Sequence, residues 1–435
     1  MTRTRSNLAI AIALLIGSAA SADESLPFGG RISLFGMTQS ASYDDGRNSD
    51  FSELIGWVSV RSGTAADGGL EYEFDLRSST YPSGDRDDRT RVYDAWVGGR
   101  TAGGRFKLRA GQMWINELGG LGSVGGIMAE YRSPVERSFG RLRFGLFGGL
   151  EPETYDFDYV SDVKKGGAWI AIDGEGSRRH VLGYVQIRDD SLTERSVLTT
   201  TNFIPVGKTL YLYQAAEYDI EGPGGEGSGG LRYFFTNARY KAGRRVELLG
   251  TYHKGRSIDA RTITQDILNG RPIDQKSLDG YLYESVGGRV TVSVMKNLRV
   301  YAGYASDRNN REDESSGRIT AGMWASDIAG SGFDLSLSDN RIDRPGRTYD
   351  AWYASLGRNV GSRLYLSVDY ATSLSVVRIV DQGGAVVETR PETTRVGFHA
   401  LWNINRRFSL LVDAEELDDD KSKDTRTQVG LTYRF

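Results

Sequence analysis

The sequence is dominated by segments of eight to twelve residues in which apolar and polar side chains take turns. In "GLEYEFDLRS", Leu70, Tyr72, Phe74 and Leu76 fall on one parity, and Glu71, Glu73, Asp75 and Arg77 on the other. Successive side chains of a strand point to opposite faces, so this is a strand with one greasy face and one charged face. The pattern recurs in "RFKLRAG", with Phe106 and Leu108 against Lys107 and Arg109, and in "GRLRFGLFG", with Leu142, Phe144 and Leu146 against Arg141 and Arg143. It reaches the final residues, "TQVGLTYRF", where Val429, Leu431, Tyr433 and Phe435 share one parity. Some segments, such as "TLYLYQAAEY", are apolar on both parities and assign no side. Past the N-terminal region no helical pattern exceeds about two turns, against the one-third helix usual in globular chains, so the class is all-β.

The charged faces decide what kind of β protein this is. Burying Glu71, Lys107 or Arg143 in a dry core would cost several kcal/mol each. Small soluble barrels pack their interiors with side chains, so a barrel using every strand here would have an unfillable centre. Propellers repeat a blade motif at a fixed period. The one internal echo is "RVYDAWVGGR" at 91–100 against "RTYDAWYASLGR" at 347–358, a shared strand solution and not a repeat. Charged faces therefore call for a wet lumen, and the apolar faces for lipid.

The connections fall into two classes that take turns. Short ones lie at 101–104, 206–208, 242–244, 295–297, 359–362 and 403–407, with Gly or Asn suited to hairpins. Longer ones, rich in Asp, Glu, Gly, Arg and Ser, lie at 80–90, 115–126, 152–165, 220–229, 256–280, 308–316, 377–391 and 418–424. Transmembrane up-and-down antiparallel barrels behave this way, with short periplasmic turns and longer outer loops. Counting in that register gives about 22 strands, in a range of about 18–26, with both termini at the short-turn end. The last strand is expected to pair with the first near 31–43, with Gln428, Thr432 and Arg434 facing water.

The N-terminus agrees with export. "MTRTRSNLAIAIALLIGSAASA" sets Arg3 and Arg5 before an apolar run from Leu8 to Ile16 and small residues ending at Ala22, the order of a cleaved secretory signal. The expected organisation is a signal peptide at 1–22 and a single barrel domain at 23–435. Of 54 Lys+Arg, Arg3 and Arg5 fall in the leader, leaving 52 against 57 acids and a net charge of −5. No basic excess points to nucleic acid. The absence of cysteine removes disulfides and thiolate metal sites.

With these features in place, the chain resembles the outer-membrane β-barrel proteins of Gram-negative bacteria. The closing strand, with Tyr433 and Phe435, looks like that class's recognition signal for the barrel-insertion machinery. The run "YDAWVGG…RFKLRAGQMWINELGG" within 91–131 is similar to a strand–turn–strand run of porin-like proteins, including those related to phosphate-selective porins. The resemblance implies a location in the cell outer membrane, contact with its lipid, and passage of small hydrophilic solutes. The first strand is expected near Arg31, so no plug precedes it, which argues against an energised transporter.

The functional expectation is a porin-like channel for passive diffusion through a charged aqueous lumen. The alternative is a structural or export sleeve whose lumen is filled by a partner protein or polymer. Lumen charge rows are expected from Glu71, Glu73, Asp75 and Arg77, and from Lys107 with Arg109 and Arg141 with Arg143; the basic rows would favour anions, and the acids dilute that preference. The segment 255–280 holds Ile258, Ile263, Ile267 and Leu268, and "TITQDIL" suits a short helix; it either folds into the lumen or packs on itself at the surface. Aromatic girdles are expected from Trp57, Tyr93, Trp96, Trp114, Tyr211, Tyr349, Trp352, Trp402 and Tyr433. No enzyme is expected: His180, His253 and His399 sit on strands, and no nucleophile motif accompanies them. No catalytic, cofactor or metal residue is assigned, and the acidic runs 307–314 and 417–424 match no Ca²⁺ loop.

Overall fold

The computed structural model describes residues 28–63, 68–83, 86–153, 158–223, 229–380 and 386–435; the leader read at 1–22 lies outside them. The strands are β1 (Phe28–Tyr43), β2 (Asn48–Ser62), β3 (Gly69–Ser83), β4 (Arg89–Arg100), β5 (Phe106–Trp114), β6 (Ser123–Arg137), β7 (Gly140–Pro152) and β8 (Tyr159–Asp173). Next come β9 (Arg179–Asp189), β10 (Leu192–Val206), β11 (Leu210–Glu221), β12 (Gly230–Ala242), β13 (Val246–Ser257), β14 (Tyr281–Met295), β15 (Leu298–Asn309) and β16 (Ser316–Ala325). The last are β17 (Phe333–Arg344), β18 (Arg347–Val360), β19 (Leu364–Val380), β20 (Val386–Thr389), β21 (Glu392–Asn403), β22 (Phe408–Asp419) and β23 (Ser422–Arg434).

These strands make 22 staves. β20 pairs with the far end of β19 from Val377 to Val380, and β21 pairs with the same strand from Leu364 to Leu374. They are two pieces of one stave, broken at Pro391, which has no N–H to give to a ladder. Each stave runs antiparallel to the next, and β23 closes on β1 from Arg31 opposite Arg434 to Tyr43 opposite Ser422. Phe435 extends the seam through Gly30 N–H to Phe435 O (3.0 Å) and Phe435 N–H to Gly30 O (3.1 Å). A closed sheet leaves no edge, and apart from local bulges its ladder groups are paired within the wall; only such a sheet, or a helix, can cross hydrocarbon.

Which face is inside follows from contacts between distant staves. The segment after β13 carries a helix at Ala260–Leu268, and its Arg261 pairs with Glu151 on β7 and Glu194 on β10. The segment after β5 reaches β8, β9 and β10. Contacts that skip staves are chords of a closed wall, so the face they touch is the lumen face. The opposite face carries Leu70, Phe74, Leu108, Leu146, Leu182 and Val368, each 44–67% exposed. An apolar band of this kind, wrapped around a closed barrel, belongs in lipid. Tyr433 completes the band at the short-turn end, its ring against Phe408 and Phe435.

Three expectations need correction. Loop lengths do not alternate strictly: the connections at 44–47, 190–191, 345–346 and 420–421 are tight, although they lie at the same end as the long ones. At 419–422 the reason is local, because Asp419 Oδ1 accepts the N–H of Lys421 and Ser422 at 2.8 Å each and closes the turn without extra residues. The 115–126 stretch is not an outer loop: β6 begins at Ser123, and residues 115–122 fold inward. Trp96 and Trp57 are not girdle residues either. Both face the lumen, Trp96 under Arg109 and Trp57 donating its indole N–H to Asp75 Oδ1 at 2.6 Å.

Candidate functional site

The candidate site is the lumen wall with the two segments that fold onto it. The first segment, residues 115–122, leaves the wall early because β5 has only nine residues. "INELGGL" sets Ile115, Leu118 and Leu121 toward the wall, and Gly119 at φ 57° supplies the left-handed turn that lets the segment double back. Leu118 is 0% exposed and packs in a core with Met113, Val185 and Val197. Gly183 makes the seat: a Cβ there would lie 2.6 Å from Leu118 Cδ2 and 2.9 Å from Thr199 Cγ2. The wall under this segment is therefore apolar on its lumen side, through Val181, Val185, Ile187 and Val197, which a uniformly wet lumen would not allow.

Glu117 carries the same segment into a charged cluster. Its Oε1 meets Arg143 Nη1 at 3.0 Å and Arg179 Nη2 at 2.6 Å. Arg143 also grips Asp173 Oδ2 with Nε at 2.5 Å and approaches Glu130 at 3.5 Å, while its guanidinium stands 5.2 Å from the Trp169 ring centre. Charge-assisted bonds of this kind, several to one buried guanidinium, fix a loop more firmly than a single exposed pair.

The second segment covers the wall above the first. Asp259 caps the helix, accepting the Thr262 N–H at 3.0 Å and its hydroxyl at 2.7 Å, and these bonds hold its carboxyl below the usual range. Ala260, Ile263 and Thr264 are buried on the helix's inner side. Arg261 Nε meets Glu194 Oε2 at 2.5 Å, Arg261 Nη2 meets Glu151 Oε2 at 3.2 Å, and Gln265 Nε2 donates to Asp189 Oδ2 at 2.5 Å. Of the two arrangements open for 255–280, the inward one is what forms.

The charge rows expected from sequence divide on inspection. Glu71 is buried between Lys107 Nζ at 2.6 Å and Arg100 Nε at 3.3 Å. Glu73 lies on the same face, opposite Arg61 and Trp96. Asp75 is taken by Trp57, and among the described residues Arg77 pairs only with Glu53, at 3.5 Å. Arg141 makes an exposed pair with Glu136 at 3.2 Å near the short turn. The basic rows are thus largely neutralised. Arg109 has no ion pair among the described residues, and its guanidinium stands over Trp96, 4.2 Å from the ring centre.

Across the lumen the wall is polar. A recess of about 380 Å³ is lined by Asp369, Arg395, His399, Asp413, Glu415 and Arg426. His399 Nδ1 bonds Asp413 Oδ1, and His253 packs between Tyr233 and Tyr283, each ring centre 5.4 Å away. Neither imidazole meets a serine hydroxyl among the described residues. Sequence reasoning missed Glu117, Trp169 and Arg261, the lumen placement of Trp96, and the partners Asp173, Arg179, Glu151 and Glu194. The available signals were the apolar residues inside "WINELGGLG" and the doubled apolar parity of "VLGYVQI" at 181–187.

No family model and no curated protein matches the sequence. Among solved structures the chain is similar to OpdQ of Pseudomonas aeruginosa, with a TM-score of 0.47 and 10% identity, covering 94% of this chain and 100% of that one. It is similar to OccK2 (OpdF) of the same organism, with a TM-score of 0.46, 10% identity and coverage of 94% and 98%. OccAB2 of Acinetobacter baumannii gives 0.45, 10%, 94% and 98%.

Proposed function

We propose that this protein is a porin-like channel of the Gram-negative outer membrane, through which small hydrophilic solutes diffuse passively. The observation that carries the proposal is a closed 22-stave wall, apolar outside and charged inside, whose two inward segments both pack on one side, β7–β10. Material on one side narrows a pore; it does not fill one of this stave number, since width grows with the number of strands. Glu71, Glu73, Asp75, Arg77, Lys107, Arg109, Arg141 and Arg143 belong to the wall of the water path, with Arg109 as the cation left for a passing anion. Solutes would cross by diffusion, so no catalytic step and no cofactor is assigned.

Export would use the leader at 1–22, and Tyr433 with Phe435 would present the closing strand to the insertion machinery. The test is the conductance of the purified protein in a planar bilayer. A steady open pore supports the channel; a closed or erratic one overturns it in favour of a sleeve filled by a partner.

A further inference from the structure

One arc of the lumen wall differs from the rest in chemistry. By register, Phe203, Tyr213, Asn237, Thr251, Gly287 and Ala305 form one rung across β10–β15, and Thr201, Ala215, Phe235, His253, Ser285 and Asp307 form the next. A third rung runs Thr199, Glu217, Tyr233, Gly255, Tyr283 and Asn309. Directly paired residues share a face, and Thr199 lies against the inward Leu118, so all three rungs face the lumen. The first rung has no charged residue; the second has only Asp307 at its end, accepting the Tyr283 hydroxyl at 2.9 Å, and the third only Glu217, which Arg195 approaches at 3.5 Å. Elsewhere on this face, ionic clusters stand at Glu71 with Lys107 and Arg100 and at Arg143 with Glu117 and Asp173, beside the apolar wall that residues 115–122 cover.

The rings on these rungs touch in a chain. Tyr283 to His253 is 5.4 Å between centres, His253 to Phe235 is 6.3 Å, Phe235 to Tyr213 is 5.8 Å, and Tyr213 to Phe203 is 4.7 Å. Tyr233 joins at His253, where Gly255 leaves room: a Cβ at 255 would stand 3.5 Å from His253 Nε2. Tyr283 is the third residue of β14, at the long-loop mouth, while Phe203 lies three residues before the short turn that ends β10. The chain of rings therefore descends the wall from one mouth toward the other. Asn237, Thr251 and Ser285 stand beside the rings with amide and hydroxyl groups.

We propose that this arc is a sliding track for uncharged oligosaccharides, an inference that rests on the channel reading. A sugar ring has an apolar face of C–H groups that stacks on an aromatic ring, and equatorial hydroxyls that need donors and acceptors at its edge. An uncharged row of rings flanked by Asn, Thr and Ser offers both, without the desolvation cost of stripping a charged wall. Conduction requires several weak sites in series, not one tight one, and evenly spaced rings supply that series.

The test is single-channel recording with maltohexaose added to the bath, with 4-hydroxybenzoate as the probe for an aromatic anion. Maltohexaose is expected to interrupt the current in a saturable way, and Tyr213→Ala with Phe235→Ala should raise its dissociation constant about tenfold. Tyr304→Ala, on the lipid face, should leave the block unchanged. Phe235→Tyr, which keeps the ring, should retain most of it. An open channel that maltohexaose does not interrupt, or one that only 4-hydroxybenzoate interrupts, overturns the track. If no channel forms, the channel reading fails by itself; maltohexaose binding in detergent, followed by calorimetry, then upholds the track or, if absent, overturns it.

Discussion

Two parts of the same ladder, the inner wall of β7–β10 and that of β18–β23, face one lumen with different chemistry. On β18–β23 the inward positions that line the recess include Tyr353, Ser367, Asp369, Arg395, His399 and Asp413. On β7–β10 they include Phe147, Trp169, Val181, Val185, Ile187 and Val197, and apolar residues occupy both parities. The difference is what lies on the wall. The β18–β23 wall meets the open recess; the β7–β10 wall is roofed by residues 115–122 and by the helix at 260–268. A strand whose lumen side is both apolar and fully buried, as at Val185 and Val197, marks where the lumen is filled. Its apolar face has found a partner in the chain itself.

The comparison can be broken most forcefully by removing the roof. Deleting 116–121 should raise single-channel conductance several-fold, because the segment stands in the water path, whereas deleting 311–314, in the loop joining β15 to β16, should leave it unchanged. Equal effects from the two deletions would erase the distinction. Leu118→Asp is next in size. A carboxylate at that fully buried position costs several kcal/mol and should release the segment, read as new cleavage after Glu117 by a glutamate-specific protease. Ser355→Asp, on the uncovered wall, should shift stability by no more than about 0.5 kcal/mol.

Arg261→Ala should have a smaller effect. It strips Glu194 and Glu151 of their partner, and after screening of a partly exposed guanidinium the loss is about 1 kcal/mol, seen as flickering of the open level. Smallest is the pH response of the helix cap. Asp259 has a lowered carboxyl pKa, so its contribution is complete above about pH 4 and fades as the pH falls below it. Amide exchange of residues 262–265 should quicken only in that acid range, and Asp259→Ala should abolish the pH dependence.

The wall was legible because its causes are local. A two-residue period, as in 70–77 or 428–435, states which side chains meet lipid, and hairpin turns state where staves reverse. The seam of β1 with β23 followed from the same count, down to the pairing near 31–43. The lumen was not legible to the same degree. That Glu117 reaches Arg143 and Arg179 depends on β5 ending at Trp114, which no period encodes. The basic rows looked free because Arg143 and Lys107 were read along their strands, while their partners Asp173 and Glu71 arrive from other strands. An aromatic residue in an alternating strand suits a girdle or the lumen, and sequence alone does not choose between them for Trp96. Register with Gly111 on β5 and Glu73 on β3 decides it.

The central claim is a wall with water on one side and lipid on the other, and the last strand offers the most direct test. The chain has no cysteine, so Gln428→Cys and Val429→Cys each introduce a single thiol, one residue apart. In reconstituted vesicles, a charged, membrane-impermeant maleimide is expected to label position 428, which lines the lumen recess, and to spare position 429, which lies in the apolar band. Labelling at 429 with none at 428, or equal labelling at both, would contradict the account.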